Sequence, residues 1–298
     1  MVKRLLLLAV LSFLFSGCDS GPQRPQAVRV YGTVAVRTPG QPGEINPEGA
    51  PVEVLDESGN LLAKTTTRAL GYYWVELKDV QPGDRLLVRT RLTIKDLELT
   101  AAKKVRVPEP RVVTVPDLVL VNPAGVELAY DGGAWRDEAG EVEVLDPDRR
   151  FSRVWAEAFD PVFERAFWPG DDRDAEGNRI ISNGFLFITA TDAAGRQVGA
   201  LDEPVTVYFN VPVTHRYYLR DVTPDNGRYE VPMYRYDEER ETWVRQGLGL
   251  LVDGDRQPIP ESDEARVTTD EHYGVILVGF SADHFSTWNV DHPLPPCK

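Results

Sequence analysis

Cysteine is nearly absent. The 298 residues hold two, Cys18 and Cys297, at opposite ends of the chain. No disulfide framework can be drawn from them, so a hydrophobic core must supply the stability, and a chain of this length can build one. Long apolar runs are lacking as well. The run Leu5–Phe15 is 11 residues long, whereas a bilayer-crossing helix needs about 20. No stretch sustains an apolar period of 3.6 residues, which argues against a helical fold. Familiar catalytic spacings are also missing. No Gly-x-Ser-x-Gly elbow surrounds Ser286, and no His-x-x-x-His pair occurs. Basic charge is in short supply: 33 Lys and Arg stand against 47 Asp and Glu, a formal net charge of −14.

What is present begins with an export signal. Lys3 and Arg4 precede the apolar run, and small residues follow it, the order of a secretory signal. The segment ends Leu14-Phe15-Ser16-Gly17-Cys18, which resembles the lipobox of bacterial lipoproteins. That resemblance implies cleavage after residue 17 and acylation of Cys18 by fatty acids such as palmitate. Two or more acyl chains hold a protein stably on a membrane. The expected location is the bacterial cell envelope, lipid-anchored and extracytoplasmic, facing the periplasm or on the cell surface. Asp19 resembles the inner-membrane retention signal of enteric bacteria. The mature chain would have 281 residues, 31 basic and 47 acidic, a formal net charge of −16. Such a surface repels phosphate backbones and excludes nucleic acid as a partner. Cys297 would be left as a free thiol on a tail or as a bridge between chains.

The rest reads as strands and turns, and the expected fold class is all-β: two tandem β-sandwich domains after the signal peptide. Residues 18–27 carry the lipidated Cys and a polar, proline-containing tether. From Val28, apolar residues alternate through Val30, Gly32, Val34 and Val36. Further strands fit Pro51–Leu55, Leu61–Thr67, Tyr72–Leu77, Arg85–Arg89, Leu97–Val107 and Arg111–Leu120, with turns at Asp56–Asn60 and Gln81–Asp84. Gly49-Ala50-Pro51-Val52-Glu53-Val54, Lys64-Thr65-Thr66-Thr67, Gly71-Tyr72-Tyr73 and Pro82-Gly83-Asp84 make residues 28–121 resemble the carboxypeptidase regulatory-like domain, a transthyretin-like sandwich. That family usually has Asp shortly before the Gly at position 71, where this chain has Arg68-Ala69-Leu70. The resemblance implies turns and a scaffold, without peptidase residues.

A second β-rich sandwich is expected over 123–293, after Val121-Asn122-Pro123, with 294–298 as a C-terminal tail. Strands fit Phe185–Thr191, Val205–Val211, Tyr229–Tyr236, Thr242–Leu251 and Tyr273–Ser281. Arg153–Phe167 is the one segment left open to a helical reading. Phe167-Trp168-Pro169-Gly170-Asp171, Asn178 to Phe185, Pro204 to Val207, Trp243 and the closing His284-Phe285-Ser286-Thr287-Trp288-Asn289-Val290-Asp291 resemble the extracellular module shared by cartilage intermediate layer proteins and bacterial surface proteins. The resemblance implies a surface or matrix setting and no catalytic role.

Three clusters are candidate sites. Asp172, Asp174 and Glu176 alternate before Gly177, beside Asp171, a spacing that mimics the start of a calcium loop. The competing reading is a solvated acidic hairpin, since position twelve of such a loop falls on Asn183 and no helices flank it. Asp283, His284, Ser286, Asp291 and His292 could form a metal site or part of a hydrolytic triad; otherwise they belong to a last strand that buries Phe285 and Trp288. Tyr72-Tyr73-Trp74, with Tyr217-Tyr218 and Trp155, could stack on sugars, although alternate strand residues must face a core. The expectation is a membrane-anchored, extracytoplasmic lipoprotein acting as a non-catalytic structural or binding module of the envelope, without a cofactor, that meets the membrane through its lipid and an envelope protein or glycan as partner. The alternatives are a carbohydrate- or calcium-binding accessory protein, and an extracytoplasmic hydrolase using the His284–His292 segment.

Overall fold

The computed structural model describes residues 27–38, 43–94, 97–122, 126–162, 164, 167–170, 172–212, 216, 219, 227–237, 240, 242–263, 266–267 and 273–294. Cys18, Asp171, Tyr217, Tyr218 and Cys297 lie outside these residues.

The first unit is built around β1 (Val28–Arg37). Its alternation buries Val28, Val30 and Val34 completely. On one edge β1 pairs antiparallel with β2 (Glu44–Ile45) and β5 (Tyr72–Leu77); on the other it pairs in parallel with β8 (Val112–Thr114) and β9 (Leu118–Val121). The sequence reads Arg111–Leu120 as one strand. Pro116 separates β8 from β9, because proline has no N–H to give to a ladder. The facing sheet has the order β4-β3-β6-β7, from β3 (Pro51–Asp56), β4 (Leu61–Thr66), β6 (Arg85–Ile94) and β7 (Leu97–Arg106). Glu53 on β3 stands opposite both Lys64 and Arg89 and pairs with each, at 3.2 and 2.9 Å. Val52, Val54, Leu86 and Val88 meet the valines of β1 in one core.

Two glycines are fixed by close approach. A Cβ at Gly32 would lie 2.6 Å from the buried Tyr73 hydroxyl, so the bare backbone of β1 makes room for that ring. Gly71 enters β5 at φ +68°, where a Cβ would stand 2.2 Å from the Val34 carbonyl oxygen. Leu70 before it also has positive φ, 60°. The Arg68-Ala69-Leu70 segment thus makes its sharp turn through two successive positive φ angles, at Leu70 and Gly71.

The second unit is one antiparallel sheet. Its strands are β10 (Ala129–Asp131), β11 (Ala134–Arg136), β12 (Val142–Leu145), β13 (Arg153–Phe159), β14 (Arg179–Thr191), β15 (Gln197–Val198), β16 (Ala200–Asn210), β17 (Glu230–Asp237), β18 (Thr242–Asp253), β19 (Ile276–His284) and β20 (Thr287–Leu294). The order is β10-β11-β12-β16-β19-β18-β17-β20-β14-β13, with β15 on β14. The two ends meet: Leu128 N–H donates to the Val154 carbonyl at 2.9 Å, and Ala156 N–H to the Val126 carbonyl at 3.0 Å. The sheet therefore wraps one core, which takes Val144 from β12, Val154 from β13, Ile188 from β14 and Trp288 from β20. The protein is all-β, two sandwich units in tandem, the second with continuous layers.

Arg153–Phe159 is a strand rather than a helix. Its two faces are both occupied: Val154 and Ala156 join the second core, while Trp155 joins the first. Burial on both sides leaves no polar alternation to read, which is why its sequence is ambiguous.

Trp155 is the hinge of the assembly. With Val126 and Phe187 it packs into the first sandwich, at the open edge where β7 and β9 end the two sheets. Val121 of β9 reaches the other way, into an aromatic cluster with Phe159, Trp168, Phe185 and Trp243. Ring centroids there lie 4.7–5.3 Å apart. Gly170 N–H donates to the Ala102 carbonyl at 3.2 Å, Lys103 Nζ to the Trp168 carbonyl at 2.6 Å and Glu98 N–H to Gln197 Oε1 at 2.9 Å.

Trp155→Ala should cost about 3–5 kcal/mol, the usual range for truncating a buried large aromatic. The loss should be felt by both units in a single transition, seen as coincident near-UV and far-UV circular dichroism in urea. Two separate transitions, with only one shifted, would contradict a shared core.

Candidate functional site

The acidic turn precedes β14, and its carboxylates point to different partners. Asp172 Oδ2 accepts from Arg179 Nε at 3.0 Å. Asp174, 6% exposed, accepts from Asn178 N–H at 2.7 Å and from Asn178 Nδ2 at 3.0 Å. Glu176 is exposed on the turn. Asp174 thereby closes the hairpin across Gly177, the ordinary work of an Asx turn. Among the described residues no group of three or more His, Cys, Asp or Glu side chains is placed to hold a metal ion.

The C-terminal cluster is likewise distributed. His284 ends β19, half-buried, and burial followed by the Arg235 charge lowers its pKa. Ser286 is buried, and its hydroxyl donates to the Tyr236 carbonyl at 2.8 Å rather than to an imidazole. Asp291 is fully buried; Oδ1 accepts from Ile181 N–H at 2.8 Å and Oδ2 from Asn289 Nδ2 at 3.1 Å. Asn289 Oδ1 accepts in turn from Ser182 Oγ at 2.6 Å. These bonds straddle the bulge between Ser182 and Gly184, where β14 falls out of register with β20. They hold a distorted ladder together, so the polar residues of this strand serve the backbone. His284, Ser286 and Asp291 are not assembled as a triad. Phe285 and Trp288 are both buried in the second core.

The aromatic candidates divide by face. On β5 Tyr73 is fully buried, while Tyr72 and Trp74 are 53% and 48% exposed. Arg68 lies over the Trp74 ring, 5.4 Å from its centroid. Trp155 is no platform: it is 4% exposed inside the first core.

Two features were not foreseen from the sequence. One is a cavity between the units, lined by Val119, Phe187, Trp168 and Phe285 among others, of about 50 Å³. Sites for small molecules run to roughly 300 Å³ and above, so this space suits ordered water and no larger ligand. The other is Glu157, on the face of β13 that carries Trp155 and Phe159. Burial, then the charges of Glu164, Glu141 and Asp137, push its pKa up to about 7. Glu164 is also raised, mainly by burial. The four carboxylates are spread over residues 137–164, and no motif announces them.

Charge is partitioned between the units. Residues 28–121 hold 13 basic and 12 acidic side chains, a net of +1; residues 122–298 hold 17 and 34, a net of −17. The whole acidity of the chain belongs to the second unit.

The raised pKa has a stability consequence. A carboxyl whose folded pKa exceeds its unfolded value of about 4.5 binds its proton more tightly when folded. Its contribution is complete below pH 4.5 and is lost as pH rises through about 7. Glu157→Gln should therefore gain stability relative to wild type as pH climbs from 5 to about 8, measured by urea midpoints across that range. A constant difference at every pH would show that burial does not perturb this carboxyl.

No family model matches the chain, and no curated protein matches it. Among solved structures, the shaft pilin spaA from Lactobacillus rhamnosus GG aligns at 9% identity over 91% of this chain and 89% of that one, with a TM-score of 0.26. BcpA, the major pilin subunit of Bacillus cereus, aligns at 10% identity over 91% of this chain and 60% of that one, with a TM-score of 0.23. Likeness at this level assigns neither a family nor an activity.

Proposed function

We propose that this chain is a lipid-anchored, extracytoplasmic protein of the bacterial envelope, acting as a non-catalytic structural or binding module. The observation that carries the reading is Cys18 itself, set directly after a basic start, an 11-residue apolar run and Ser16-Gly17. Among the described residues no helix is long and apolar enough to cross a membrane. A module of this kind needs a rigid body more than a pocket. The shared core around Trp155 supplies rigidity.

Cys18→Ser tests the anchor. The wild-type chain should sediment with bacterial membranes, and mass spectrometry should find an acylated N-terminal cysteine on residue 18. The variant should stay unprocessed or leave the membrane pellet. A variant that is cleaved and sediments as the wild type does would refute the reading.

A further inference from the structure

The first sandwich has two open edges. The β7–β9 edge is sealed by Trp155 and Phe187 of the second unit. The opposite edge, where β4 and β5 end their sheets, carries Leu61, Leu62, Leu70, Tyr72 and Trp74, 39–76% exposed. Half of the chain's exposed large apolar side chains named among the described residues fall on that one edge. Trp74 stands apart from the other tryptophans: Trp135, Trp155, Trp168, Trp243 and Trp288 are each at most 7% exposed.

We infer that this edge lies against the lipid bilayer, with Tyr72, Trp74 and Leu70 seated in its interfacial region, a proposal that rests on the lipoprotein reading above. Tryptophan and tyrosine favour the headgroup level because each joins an apolar ring to a polar tip. Arg68, over the Trp74 ring, can keep its guanidinium among headgroups while its stem follows the ring. The placement fits the tether. Val28 opposes Leu77, and Tyr31 opposes Trp74, so the chain that enters β1 arrives beside β5. Trp74 is then about 10 Å along the sheet from the tether's end, and nine tether residues reach about 30 Å. Charge sets the orientation: the near-neutral first unit faces the membrane, and the second, at −17, is repelled by anionic headgroups and held outward. The acylated cysteine then fixes location and the edge fixes orientation, two membrane contacts on one unit.

The test uses the full lipidated chain, recovered from bacterial membranes and reconstituted into phosphatidylcholine vesicles brominated high in the acyl chains. Bromine quenches tryptophan only at contact. Part of the emission should be lost, and Trp74→Phe should abolish that loss while the rest of the emission stays unquenched. Leu70→Ser with Tyr72→Ser, which keeps the Trp74 reporter, should reduce the quenching. The Cys18→Ser chain freed of its first 17 residues and mixed with the same vesicles should show the same Trp74-specific quenching at higher lipid concentration, so the edge is read independently of the anchor. Equal emission in brominated and plain vesicles would overturn the proposal, as would quenching that Trp74→Phe leaves unchanged. If Trp74 is instead shielded in lipid-free dimers, or by soluble envelope glycans and not by lipid, the edge belongs to a second copy or to a glycan, and the membrane assignment fails.

Discussion

The structure depends on one packing constraint: the open β7–β9 edge of the first sandwich must be covered, and Trp155 covers it. A two-sheet sandwich of fewer than a hundred residues leaves two such edges, each with apolar side chains and unpaired backbone at its rim. Here β13 gives Trp155 to the first core and its neighbours Val154 and Ala156 to the second. One strand thus serves two cores, and neither unit buries its full apolar surface without the other. The reciprocal insertion of Val121 among Phe159, Trp168 and Trp243 makes the exchange two-sided.

Polar residues are placed under the same logic. Asp291 and Asn289 are fully buried, which would be costly if they lacked partners. They are tolerated because both have partners at the bulge in β14: Asp291 accepts from the Ile181 N–H, and Asn289 bonds the Ser182 hydroxyl and the Asp291 carboxylate. Asp174 does the same for the hairpin before β14. Residues that look like chemistry in a linear reading are committed to irregular points of the ladder. Glu157 is the contrast: it is half-buried, and burial together with the charges of Glu164, Glu141 and Asp137 raises its proton affinity.

The division of charge gives the molecule a direction. Residues 28–121 carry a net +1 and residues 122–298 a net −17, so an anionic surface repels the second unit far more than the first. Among the described residues the exposed aromatics are Tyr72 and Trp74, both in the first unit.

By itself the sequence determined the all-β class and most strand positions. Alternation in Val28–Val36, and the glycine or proline in turns such as Asp56–Asn60 and Gln81–Asp84, are local signals, because a strand's side-chain period is set by its own backbone. Short strands escaped, Ala129–Asp131, Ala134–Arg136 and Val142–Leu145, since three or four residues hold too few periods to read. Tertiary structure alone decided that Arg153–Phe159 is a strand, because its apolar faces are explained only by two different cores. It alone turned the aspartates of the acidic turn apart and sent the Ser286 hydroxyl to a carbonyl. A side chain's chemistry is written in its own residue, but its partners are chosen by packing between segments far apart in the chain.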